Sequence, residues 1–253
     1  MDLSLTHFLG IDPGSARGSI TCALLDGSRR ILFRGALPVD GWQHECLTSL
    51  VTIAALTTPV ALNTGLMQDD EKRKSLDPAP PRNRYTNLRV CEYELITRGF
   101  TSTRTPSALE DCTSSTQRHL RFSSEMGGCG FLRWSSPGSE RQLMEVHVDS
   151  AFTELLGIRP FAASSLEGRI QRQLALQEER VNVPDAMEFF EEVTRHKLLS
   201  GKLPEANVLP ASELNALAAA FTAWSAYTNP TTVTRLGDPT EGLIILPLST
   251  RPR

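Results

Sequence analysis

The chain contains no run of about 18 consecutive apolar residues, the minimum for a helix that spans a bilayer, so no membrane segment is expected. It also lacks a basic N-terminal stretch followed by an apolar one. MDLSLTHFLGID begins without lysine or arginine, which predicts no secretory leader and a cytoplasmic location. Cysteine is scarce and its number is odd: the 5 residues Cys22, Cys46, Cys91, Cys112 and Cys129 include no CxxC pair. Neither a disulfide scaffold nor a zinc site is expected from that spacing. An excess of positive charge is missing too. Lys and Arg number 26 against 29 Asp and Glu, a formal net charge of −3, so any nucleic-acid contact must rely on a local patch. The 3 tryptophans are too dispersed for a base-stacking platform, and the 5 histidines have no ligand-like spacing. GxSxG, HExxH, GxxxxGK[ST] and a strand-borne GxGxxG are all absent, which removes the commonest hydrolase, metalloprotease and nucleotide-loop signatures.

What remains is an ordinary globular composition of 253 residues, 40% hydrophobic and 22% charged, long enough for a sizeable core. The segments His7–Asp12, Gly18–Leu25 and Arg30–Leu37 are separated by the turn signals Pro13-Gly14 and Asp26-Gly27-Ser28, and predict three antiparallel strands. Apolar residues at helical spacing predict a helix over Gln43–Leu56, and the apolar run Pro59–Leu62 reads as a strand inside a parallel sheet. Further helices are expected at Leu88–Arg98, Ala151–Leu156, Leu166–Arg180, Ala186–Leu199 and Ser212–Tyr227, with strands at Leu143–Val148 and Gly242–Leu246. The polar and proline-rich stretch near 64–85 and the Ser/Thr/Gly-rich stretch near 101–142 read as poorly structured insertions in a single domain covering 1–253. This order gives an α/β fold in which a three-strand antiparallel meander and parallel strands form one mixed sheet, with helices on both faces.

Asp12 ends the first strand just before Pro13-Gly14. A carboxylate there can ligate Mg²⁺. Alternatively, the small-residue turn of Gly14 and Ser15 can hold a phosphate, or the acid can simply accept backbone hydrogen bonds within an Asp-Pro-Gly turn. His147, two residues after Glu145 in a predicted strand, shares its face and is a candidate for proton transfer or phosphate contact. Arg169 and Arg172, three apart on a predicted helix, share a face that suits phosphate or plain solvation. On the last helix, Leu214, Leu217, Phe221 and Trp224 form one stripe. Asn215, Ala218, Ala219, Thr222 and Ala226 form a small-residue stripe beside it that permits close approach to a sheet.

Gly10-Ile-Asp12-Pro-Gly-Ser15 resembles the first strand of ribonuclease-H-like enzymes and of the actin-like ATPases. In order along the chain, Pro59-Val-Ala-Leu-Asn63-Thr-Gly-Leu, Leu88 to Phe100, Glu145-Val-His147, Glu213-Leu-Asn215-Ala and Glu241 to Pro247 resemble segments of one predicted ribonuclease-H-like nuclease family, domain of unknown function 429. The resemblance is scattered from Leu9 to Pro247, and the order of the segments gives it its weight. It implies a metal-dependent hydrolase of nucleic-acid phosphodiester bonds, with Mg²⁺ or Mn²⁺ held by carboxylates that converge on metals about 4 Å apart. The site positions it implies are Asp12, Asn63, Glu145 and Asn215, with Asp12 and Glu145 as metal ligands. Related sequences carry aspartate where this chain has Asn63 and Asn215. An amide oxygen brings no charge, so the departure implies weak metal binding, or a non-catalytic binding or scaffold protein with a degenerate site.

Overall fold

The computed structural model describes residues 3–14, 18–195, 197–201 and 205–249; Ser15 lies outside them. The chain opens with the strands β1 (Thr6–Asp12), β2 (Ser19–Leu25) and β3 (Ile31–Pro38), paired antiparallel in succession. The short helix α1 (Trp42–Cys46) leads into β4 (Val51–Leu56), which lies parallel to β1. The helices α2 (Asp70–Lys74), α3 (Val90–Thr97) and α4 (Ser114–Gly128) precede the two-residue β5 (Leu132–Arg133) and β6 (Arg141–Glu145), which is parallel to β4. Four helices follow: α5 (Val148–Leu156), α6 (Leu166–Glu178), α7 (Glu188–Arg195) and α8 (Ala211–Thr228). The hairpin β7 (Val233–Asp238) and β8 (Gly242–Pro247) completes a mixed sheet of order β3-β2-β1-β4-β6-β8-β7. Among the described residues no helix is long and apolar enough to cross a membrane.

The two-residue period of the strands divides the core between the faces of the sheet. Phe8, Ala23, Ile53, Ala55 and Met144 join α5, α6 and α8 on one side. Leu9, Ile11, Cys22, Ala54, Leu56 and Leu143 join Trp42 of α1 with Phe122 and Met126 of α4 on the other. Helix α8 is the central support. Its alanines favour the helix, and full burial of side chains such as Leu217 and Phe221 stabilises by about 1.5–3 kcal/mol each. It also lies unusually close to β1: a Cβ added at Gly10 would come 1.8 Å from the carbonyl oxygen of Ala216. Only glycine at position 10 permits that approach.

The structure departs from the sequence expectations at several places. Gln43–Leu56 is not one helix, because its second half is β4. The segment VTIAAL is apolar on both faces and five of its six residues are buried, a pattern whose periodicity does not distinguish a buried strand from a buried helix. Pro59–Leu62, expected as a strand, is a connection after β4, and its Val60 N–H donates to Glu145 rather than to a ladder. The stretch 64–85 is not a loose insertion: Met67 is fully buried and belongs to a small apolar cluster with Leu88, Val90 and Tyr93. Nor is 101–142, where the 15-residue α4 is capped by Thr113 and buries Leu120, Phe122 and Met126. That helix was obscured because three buried apolar side chains are spread through a sequence otherwise rich in Ser, Gly and charge. The strand expected at Leu143–Val148 ends at Glu145, and α7 is shorter than Ala186–Leu199.

Candidate functional site

The carboxyl ends of β1, β4 and β6 lie side by side, the place where open α/β sheets commonly bind ligands. Asp12 is half-buried at the tip of β1. Its Oδ1 accepts from the Gly14 N–H at 3.0 Å and its Oδ2 from Asn215 Nδ2 at 2.8 Å. Gly14, at φ +60°, turns the chain back so that its own N–H reaches the carboxylate. Its carbonyl is in turn 3.0 Å from His119 Nε2 on α4. Asn215 stands at the start of the second turn of α8, and the close contact at Gly10 brings it to this position. Glu213, two residues earlier, turns away to pair with Arg34 on β3.

Glu145 serves differently. It stands in register with Leu56, itself paired with Ile11, and those two side chains pack on the face opposite α8. Asp12, one residue past Ile11, faces α8. The two carboxylates therefore leave the sheet on opposite sides. Glu145 is buried and receives a forked pair of bonds from Arg89: Nη2 to Oε1 at 2.6 Å and Nη1 to Oε2 at 2.9 Å. Its Oε2 also accepts from the Val60 N–H at 3.1 Å. Arg89 is 1% exposed and further donates through Nε to Glu92 at 3.0 Å. Burial opposes the charge on Arg89, but the Glu145 and Glu92 carboxylates outweigh it and hold its pKa above the usual arginine value.

Two more buried acids complete this network. Glu92 accepts from the N–H groups of Arg89 and Thr105, and Glu241 from the N–H groups of Thr64 and Val90. Glu145, Glu92 and Glu241 thereby fasten the connection after β4, the segment before α4, the start of α3 and the β7–β8 turn to the sheet. Sequence reasoning missed Arg89, Glu92 and Glu241. The available signal was charge placed inside an apolar run, as in LRVCEYELI, or at its edge, as in EGLIIL.

Asn63 is buried in another setting. Its Nδ2 donates to the Asn87 carbonyl at 2.9 Å and its Oδ1 accepts from the Gly65 N–H at 2.7 Å, so the amide shapes a turn. The four positions implied by the resemblance therefore separate into the contact between Asp12 and Asn215, the ion pair of Glu145, and the turn at Asn63. Among the described residues no group of three or more His, Cys, Asp and Glu is arranged to hold a metal. With both Glu145 oxygens engaged by Arg89, this donor set does not fit a two-metal centre.

His147 is not a strand residue. It caps the N-terminus of α5, with Nδ1 2.7 Å from Ser150 Oγ and 3.4 Å from the Ser150 nitrogen. Burial lowers its pKa against the opposing pull of Asp149 and Glu145, which favours the neutral ring that a capping acceptor requires. Arg169 and Arg172 do not present a shared phosphate-binding face. Arg169 pairs with Glu205. Arg172 is buried over the Phe152 ring and donates to the carbonyls of Phe161 and Gly168 and, at 3.1 Å, to Asp149.

His147 lines two cavities. A cavity of about 270 Å³ beyond β4 and β6 is lined by Thr58, Arg89, Arg104, Thr105 and Glu145 among others. The hydroxyls of Thr58 and Thr105 are buried there without hydrogen-bond partners among the described residues. A larger cavity of about 600 Å³ is lined by residues including Arg98, Phe100, Asp149, Arg159, Phe161 and Arg172. Comparison with protein-family models, with curated proteins and with solved structures gives no match to this chain.

Proposed function

We propose that this chain is a ribonuclease-H-like protein that acts by binding, as a non-catalytic module or scaffold, with a degenerate form of the nuclease site. The observation that carries this reading is the forked Arg89–Glu145 ion pair, which occupies a carboxylate that the nuclease resemblance would assign to metal. Two features support the lineage: the meander β1–β3 continued by parallel β4 and β6, and the meeting of position 215 with Asp12 from the far end of the chain. The same two side chains support loss of catalysis. An amide in place of a second carboxylate donates a hydrogen bond to Asp12 and adds no negative charge for a divalent cation.

The competing reading is a Mg²⁺- or Mn²⁺-dependent nuclease with Asp12 and Glu145 as its metal ligands and nucleic acid as its substrate. The Asp12–Asn215 contact is the observation in its favour. Isothermal titration with each metal, alone and with single-stranded and duplex oligonucleotides, separates the two when run beside a cleavage assay. The binding reading expects neither millimolar metal affinity nor cleavage. Metal-dependent cleavage that disappears in Asp12→Ala would establish the nuclease instead.

A further inference from the structure

The cavity of about 600 Å³ between the end of α3, the start of α5 and the connection before α6 has a size suited to a small organic ligand. Its basic groups differ in how far they are already engaged. Arg172 is fixed by Asp149 and two carbonyls and acts as wall. Arg98 only approaches Glu154, at 3.9 Å, and keeps 43% of its side chain exposed. Arg159 is exposed and makes no hydrogen bond or ion pair among the described residues. One unpaired guanidinium and one held only by a long contact to Glu154, itself on the lining, thus face one space. A guanidinium holds a phosphate through paired N–H donors, in a geometry that an ammonium cannot offer.

The same cavity has an aromatic rim. Phe161 is 62% exposed and Phe100 stands part-buried on the lining. An exposed phenylalanine beside Arg159 and the loosely paired Arg98 matches a ligand with a planar ring at one end and an anion at the other, because the ring gains from stacking and the anion from the charge-assisted bonds. We propose that this cavity binds a nucleoside monophosphate, with the phosphate held by Arg98 and Arg159 and the base stacked against Phe161. The site shares no residue with the Asp12–Asn215 contact, so the inference goes beyond the reading of that contact and stands apart from it.

Titration of the purified full chain with adenosine monophosphate tests this, with adenosine and inorganic phosphate as separate probes. The monophosphate is expected to bind more tightly than either fragment. Arg98→Gln and Arg159→Gln should each weaken it by about tenfold, the equivalent of one charge-assisted hydrogen bond. Phe161→Ala should weaken the monophosphate and adenosine while leaving phosphate unchanged. Asp12→Ala should leave all three unchanged. Both arginines are on the surface, and a thermal melt of each variant confirms that it is folded. No binding of the monophosphate at millimolar concentration would overturn the proposal. So would affinity that the arginine variants do not alter, or affinity that Asp12→Ala removes.

Discussion

Asn215 Nδ2 donates to Asp12 Oδ2 at 2.8 Å across a sequence separation of 203 residues. The contact joins the tip of the first strand to the second turn of the last long helix, and it depends on an amide at position 215. With an aspartate there, two carboxylates would meet at hydrogen-bond distance. Asn215→Asp should therefore raise the pKa of one member of the pair. A carboxylate whose folded pKa is raised loses stabilisation as pH rises through it, so the variant should fall behind the parent progressively above the ordinary carboxylate range. Urea unfolding between mildly acidic and neutral pH would show this as a gap of about 1 kcal/mol that widens with pH. Equal stability at all pH values would mean that the side chains do not meet.

The close seating of α8 gives a second expectation. Gly10→Ala would drive a methyl group into the Ala216 carbonyl and press the helix off β1. Overpacking of this kind costs about 1–3 kcal/mol, read as a lower urea midpoint. The Ala variant should also loosen Asn215 from Asp12, visible as a shift of the Asn215 side-chain amide signals in an NMR spectrum. Unchanged stability and unchanged amide signals would show that the helix is not held at this distance.

The Arg89 network should respond strongly to removal of its central cation. Arg89→Met leaves Glu145 and Glu92 buried without their partner, and breaking a buried pair from one side costs about 3–5 kcal/mol. Arg89→Lys keeps the charge but loses the fork, so it should recover only part of that loss. Denaturation midpoints that match the parent for both variants would remove Arg89 from its organising role.

Acid stability should include a contribution from Asp238. Hydrogen bonds from Lys72 and Thr240 hold this carboxyl at about 2, below its ordinary 3.8. A depressed carboxylate stabilises the fold above the unfolded value, and the gain is lost as pH falls toward the folded value. Stability of the parent should therefore decline between about pH 4 and pH 2 more steeply than that of Asp238→Asn. Parallel acid profiles for the two proteins would contradict this.

His147 acts at higher pH and with a different sign of charge. Its folded pKa lies below the ordinary 6.5, so the unfolded chain takes up a proton first as the solution is acidified. The parent should lose stability as pH falls through 6.5 toward that lower folded value. His147→Asn keeps a side chain that caps helices well and removes the titrating ring, so its profile should be flatter there. A parent profile as flat as that of the variant would place His147 in a solvated setting instead.

Much of this protein was legible in the chain. The meander β1–β3, the stop of α3 at Gly99, the cap of α5 at Gly157 and the full length of α8 follow from turn residues and from periods of two and 3.6, which are local properties. The Asp12 end of β1 and the small-residue stripe that lets α8 approach it were legible on the same grounds. Burial and pairing were not. VTIAAL is a strand because two parallel neighbours enclose it, and α4 is a helix because a waiting surface takes up its few apolar side chains. Glu145 is the clearest case. As a letter in a strand it is an acid available to a metal. Only the tertiary fold brings Arg89 against it, and inside a low-dielectric core the nearest opposite charge decides what a carboxylate can do.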